Sequence, residues 1–293
     1  MHQRSGYRMV AVASVILLAG STQAFAQDAA GPPNKKIIYS PYPAKTFPNR
    51  VYFGDTHLHT SYSADAGMAG AIVGPEEAYR FARGEEIKSN SGQPVKLARP
   101  LDFLVIADHA ENLGLAPMIA ESDPALLKSE WGKKVHDLAK TGTIEGQGAA
   151  FNMWIAAMQE LKDPFKGQEE TMARPAWKRL TAAAEKYSEP GRFTALIGFE
   201  WTSGPDGNNL HRNVVFRDGK DKADQIIPLS YYDTGDPEDL WAWMAAYEQK
   251  TGGKMLAIPH NGNLSNGLMF DDVTLTTKTP LDRAYAERRM RSE

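Results

Sequence analysis

The chain has 293 residues, a formal net charge of −3 and no cysteine. That length is enough for one sizeable domain or most of a barrel. The mild acidity argues against a nucleic-acid or membrane-surface partner. The lack of cysteine excludes disulfides and thiolate sites, so any metal must be held by His, Asp and Glu.

In chain order, Arg4 and Arg8 form a basic start, residues 9–20 an apolar core, and Ala24-Phe25-Ala26 a small-x-small cleavage signal. The apolar run is too short for a comfortable transmembrane span. Residues 1–26 are therefore expected to be a secretory signal peptide, which makes the mature protein periplasmic or secreted. Removing them takes away two arginines and no acids and moves the net charge from −3 to −5. Residues 27–50, rich in Pro, Ala and Lys, are expected to be an extended lead-in.

The apolar run Val51-Tyr52-Phe53 is expected to be a strand leading into Gly54-Asp55-Thr56-His57-Leu58-His59-Thr60. Strand alternation sends Asp55, His57 and His59 to one side, where two imidazoles about 6–7 Å apart can grip an ion or bridge a small cluster. The plainer alternative is a pair of half-buried histidines bonded to backbone. Gly74-Pro75-Glu76-Glu77 opens a helix that stops near Gly84, with Pro in the first turn and acids at the positive dipole end. A polar, hairpin-like segment follows over 85–100. Residues 101–107 form a continuous apolar run ending at Asp108-His109, the pattern of a buried parallel strand.

Residues 111–190 show helical periodicity at 125–138, 149–161 and 174–187 and no convincing strand. They are expected to form a helical insertion over the strand ends, a lid. Strands are expected at 193–199, ending at Glu200, at 213–216, entered through His211, and at 254–259, ending at His260. A helix over about 237–251 carries Leu240, Trp241, Trp243, Met244 and Tyr247 as core. His136, beside Lys133 and Lys134, is expected on the surface. Four apolar strands thus each deliver a potential ligand at or just past the C-terminal end, where α/β barrels build their active sites.

The set His57-x-His59-Thr60-x-x-Ser63-x-Asp65, Ile106-Ala107-Asp108-His109, Gly198-Phe199-Glu200 and Pro259-His260 resembles the polymerase and histidinol phosphatase (PHP) superfamily. More closely it is similar to that superfamily's secreted DUF3604 branch. The resemblance runs from about Val51 to the end of the chain, interrupted by the insertion. It implies an α/β fold, a distorted (β/α)7 barrel, with two or three divalent ions (Zn, Mn or Fe) and hydrolysis of a small-molecule anionic ester such as a phosphate ester. By the same resemblance His57, His59, Asp65, His109 and His260 match metal ligands and Glu200 the carboxylate that bridges two metals. Asp108 matches a residue that orients its neighbour His109, and His211 one that helps hold metal or substrate. His211 could instead donate a proton to the leaving group. Arg212 could pair with a substrate oxygen, and Asn261 and Asn263 could bond substrate or simply make a turn.

Relatives in the superfamily close the site with an Asp-x-His from the last strand, and no histidine follows His260. The sequence-based expectation is therefore a barrel incomplete at its C-terminus. Two other classes of function stay open here: a non-catalytic metal- or ligand-binding periplasmic protein, and an inactive truncated fragment.

Overall fold

The computed structural model describes residues 51–293. The expected signal peptide and the 27–50 lead-in lie outside the described residues. The first strand, β1 (Gly54–Leu58), is followed by two helices, α1 (Ala64–Met68) and α2 (Pro75–Ala82). Val51, Tyr52 and Phe53, expected to begin the strand, are exposed and precede it. The polar segment is a small antiparallel pair, β2 (Ile87–Lys88) with β3 (Pro94–Val95). The buried strand β4 (Phe103–Ile106) comes next and lies parallel to β1.

Five helices follow with no strand among them: α3 (Leu115–Glu121), α4 (Pro124–Lys128), α5 (Glu130–Ala139), α6 (Ile144–Gln159) and α7 (Glu169–Tyr187). Side-chain caps start three of them: Asp123 on the Ala125 amide, Ser129 on Gly132 and Thr143 on Gly146. Between α3 and α5, His136 is half-buried rather than on the surface, because its Nε2 meets the Ser122 hydroxyl at 2.9 Å.

The run expected at 193–199 is two short strands, β5 (Thr194–Leu196) and β6 (Gly198–Trp201), broken at Ile197. Then come β7 (Arg212–Phe216), the short α8 (Lys220–Ala223), α9 (Pro237–Thr251), β8 (Met255–Pro259) and α10 (Arg283–Ser292). Asp236 caps α9, Pro237 opens it, and Gly252 closes it in the left-handed conformation, which glycine adopts at no steric cost.

Two larger sheets set the architecture. One sheet is parallel, β1-β4-β5, and the other antiparallel, β6-β7-β8. They meet where His109 pairs with Glu200 in a single parallel bridge. Among the described residues the strands do not close: the fold is the expected mixed α/β, built on small sheets, and the expected partial (β/α)7 barrel is not shown. The sequence pattern located the apolar strands but not their direction. A run such as 213–216 reads the same whether it lies parallel or antiparallel to its neighbours.

Two apolar cores hold the fold. The larger packs the sheets against α2, α7 and α9, with Tyr79, Trp177, Phe199, Phe216 and Trp241 buried in it. The smaller lies within the helical region around Leu115, Leu126, Val135, Trp154 and Met172. Gly198 makes the crossing of the two sheets possible. A Cβ there would sit 2.4 Å from Val105 Cγ1 and 3.0 Å from the Val214 carbonyl, so any side chain would push β6 away from β4. No helix among the described residues is long and apolar enough to cross a membrane.

Candidate metal centre

The site begins with a bulge. Between Asp55 and Leu58, β1 advances three residues while β4 advances two, so one residue is extra and the alternation is broken. Asp55 consequently does not join the histidines. Its Oδ1 accepts from the His57 amide, and the residue is exposed. Beyond the bulge, His57 and His59 bring their Nε2 atoms to 3.1 Å, closer than simple strand spacing implies.

The turn after His59 is anchored by buried polar groups. Asp108 is fully buried and accepts from the Thr60 amide at 2.5 Å and the Thr60 hydroxyl at 2.7 Å. Burial pushes its carboxyl up to about 6, against those two hydrogen bonds. Both of its oxygens are therefore engaged with the loop that carries His59. The resemblance implies that Asp108 orients its neighbour His109; the side-chain hydrogen bonds it makes here are to Thr60. Ser63 bonds the His109 amide and donates to Asp65 Oδ1.

Glu200 stands at the centre, in β6, with its side chain 1% exposed. Its Oε2 lies 2.6 Å from His59 Nε2 and 3.1 Å from His57 Nε2. Its Oε1 lies 2.6 Å from both His211 Nδ1 and His260 Nε2. His211 reaches this point because β7 runs antiparallel. The start of β7 therefore sits beside the C-terminal ends of β6 and β8, and the His260 amide donates to the His211 carbonyl. His57 and His260 have ring centroids 4.2 Å apart although 203 positions separate them in the chain. His109 Nε2 lies 3.9 Å from Glu200 and 3.5 Å from Asp65.

Partners on the far ring nitrogens fix two of the imidazoles. Thr202 Oγ1 donates its only proton to the buried Glu111 at 2.6 Å. The 2.7 Å contact between His109 Nδ1 and Thr202 is therefore an N–H donated by the histidine, which leaves Nε2 turned to the cluster. Asp65 takes the same role behind His59, with its oxygens 3.1 and 3.2 Å from Nδ1. Asp65, matched to a ligand on sequence grounds, thus sits on the outer nitrogen of a histidine. The sequence reading missed Glu111 and Thr202. Each lies two positions past a recognised residue, outside the strands, so no periodicity marks it. In the metal-free protein the Glu200 carboxylate, which can only accept, puts the His260 proton on Nε2, and Nδ1 is buried without a hydrogen-bond partner among the described residues.

Charge follows this geometry. Burial opposes ionisation of Glu200, but the charge of His109 and the hydrogen bonds from His211, His260 and His57 hold its carboxyl far below the ordinary range. Burial likewise opposes a proton on His59, yet hydrogen bonds to Asp65 and Glu200 raise it to about 9. His109 is raised in the same way, against burial, by Glu200, Asp65 and Glu111. Two groups have the reach to hold an ion, His57–Glu200–His260 and His59–His109–Glu200, each with its ligand atoms within 4.8 Å of one another. Neutral imidazole and carboxylate donors suit a divalent transition-metal ion. This buried His/Glu cluster could hold metal.

Arg212 is not part of the centre. It is buried against Trp201, donates to the Leu210 carbonyl and pairs with Glu293 at 3.0 Å, so it faces away from any substrate oxygen. Asn261 takes a left-handed turn conformation next to His260.

A family model described as "Protein of unknown function (DUF3604)" matches residues 46–293. The chain belongs to the DUF3604 family. No curated protein and no solved structure matches it. Every residue of the cluster lies within the span matched to DUF3604.

Proposed function

We propose that this DUF3604 protein is a secreted metal-dependent hydrolase of phosphate esters or related anionic esters, related to the PHP superfamily. The observation that carries the reading is the position of Glu200, one buried carboxylate common to both three-residue groups. That is the arrangement a pair of bridged ions requires, and Zn, Mn and Fe all suit the donor set. When bound, such ions would supply positive charge for the ester oxygens and a water acidic enough to act as nucleophile near neutral pH.

The protein's own groups would do the rest. His57, His59, His109 and His260 would hold the ions together with Glu200. Asp65 and Thr202 would keep the His59 and His109 rings turned inward, because each occupies the Nδ1 side. His211, tethered through Nδ1 to Glu200, keeps Nε2 for a leaving-group oxygen and takes the proton-donor role. Among the described residues no Lys or Arg pairs with Asp65 or Glu200. Recognition of an anionic ester would therefore rest on the ions, and the metal-free protein should not retain phosphate.

The test is to load the protein with Zn, Mn or Fe in turn, measure ion content, and assay 4-nitrophenyl phosphate alongside the phosphodiester, phosphonate and sulfate analogues. Turnover that Glu200→Gln and His59→Ala abolish supports the reading. Bound metal with no turnover of any ester favours a non-catalytic metal-binding protein. Absence of bound metal refutes both.

A further inference from the structure

A cavity of about 290 Å³, open to solvent on one side, lies apart from the histidine cluster, among α3, the α6–α7 connection, the first turns of α7 and the loop 227–233. Its lining mixes apolar and polar side chains, with Phe165, Tyr232 and Trp243 supplying the aromatic part, and none of the cluster residues lines it. Three carboxylates also line it: Asp163, Glu169 and Asp233. No Lys, Arg or His lines it, and no ion pair involves these three acids among the described residues. Their hydrogen bonds come from neutral groups: Asp163 bonds the Phe165 amide and the Asn112 side chain, Glu169 the Gly167 amide, and Asp233 the amide and hydroxyl of Ser230. Burial, reinforced by the charges of Glu169 and Asp233, holds the Asp163 carboxyl above its ordinary value.

Asp163, half-buried beside an apolar wall with no counter-charge, costs free energy, and the exposed Glu169 and Asp233 at the rim add negative charge to the same opening. A neutral ligand would leave that cost in place, and an anion would increase it. A cation with an apolar body relieves it, gaining carboxylate contacts for its head and aromatic faces for both head and body.

We propose that this cavity is a binding site for a small organic cation, an amine or quaternary ammonium compound bearing an apolar or aromatic group, seated between Phe165, Tyr232 and Trp243 with its charge toward Asp163 and Asp233. The site is separate from the metal centre and takes ligands of the opposite charge to the ester substrate proposed there.

The experiment is calorimetric titration of the full chain near pH 7.5 with three probes of similar size: 2-phenylethylammonium, 2-phenylethanol and 3-phenylpropionate. The ammonium should bind at least tenfold more tightly than the alcohol, and the carboxylate should give no heat. Asp163→Asn and Asp233→Asn should each weaken the ammonium about tenfold or more and leave the alcohol within twofold. Asp233 is exposed, so its replacement keeps the test open if the Asp163 variant misfolds. Ammonium affinity should be the same before and after chelation and in His59→Ala, which separates this result from the fate of the hydrolase reading. Equal affinity for ammonium and alcohol, preference for the carboxylate, no heat from any probe at millimolar concentration, or ammonium binding unchanged in both Asn variants would each overturn the proposal.

Discussion

Glu200 sets the chemistry of the centre, because it is a single buried charge answered by five imidazoles. Two consequences can be measured. Glu200→Gln removes the shared anion and should lower metal affinity more than a hundredfold, since even partners behind the ligands are worth about 10–100-fold; chelator competition reads this directly. The second consequence concerns pH in the metal-free protein. His59 is raised to about 9 from 6.5, so its contribution to stability is fully present below pH 6.5 and is lost as pH rises through about 9. Glu200 and Asp65 are depressed, so theirs is present above their ordinary values of 4.5 and 3.8 and is lost on acidification. The metal-free protein should therefore be most stable between about pH 5 and 6.5. Its Tm should fall by on the order of 5 °C toward pH 9, since about 1 kcal/mol moves Tm by about 2–4 °C at this size. Metal-loaded protein, whose imidazoles are held neutral, should not show that fall. A metal-free profile that is flat or rising to pH 9 would mean that His59 is not paired as described.

At the scale of elements, the sequence made the positions of the clustered residues legible and left their geometry obscure. The apolar runs before Asp108-His109, Glu200 and His260 marked strands because a buried strand needs an uninterrupted apolar stretch. The bulge that removes Asp55 from the cluster has no such signature, since it depends on how β1 meets β4. Nor does the reversal of β7, which brings His211 into the site from the start of a strand rather than its end. Glu111 and Thr202 were unreadable for a third reason: a buried acid and a hydroxyl acquire meaning only once they are seen touching. Their link carries a prediction. Thr202→Val keeps the shape but strands the His109 N–H and removes a donor from Glu111, which should destabilise the protein by about 1–3 kcal/mol. It should also lower metal affinity about 10–100-fold. Thr202→Ser, which restores the hydroxyl, should recover most of both. Equal metal affinity in wild type and the Val variant would show that the link is structural only.

Across the whole molecule, the centre sits at the only backbone pairing between the two larger sheets among the described residues, the bridge of His109 with Glu200. His57 and His59 come from the parallel sheet, whereas Glu200, His211 and His260 belong to the antiparallel one. An ion held by His57–Glu200–His260 or by His59–His109–Glu200 therefore ties one sheet to the other. The sequence could not show this coupling, because it read all the strands as members of one barrel. If each group holds its own ion, His260→Ala should lose one ion and keep the other, and His109→Ala should do the reverse. Glu200→Gln, which touches both groups, should lose both. Ligand binding to the folded state alone adds about 4 kcal/mol at a thousandfold excess over Kd, so full loading should raise Tm by roughly 10 °C. Each histidine variant should retain part of that gain, and the Glu200 variant almost none. Elemental analysis and calorimetry on the same preparations check the two readouts together. If His260→Ala and His109→Ala each empty the centre completely, the histidines serve one shared ion, and the two-ion arrangement is wrong.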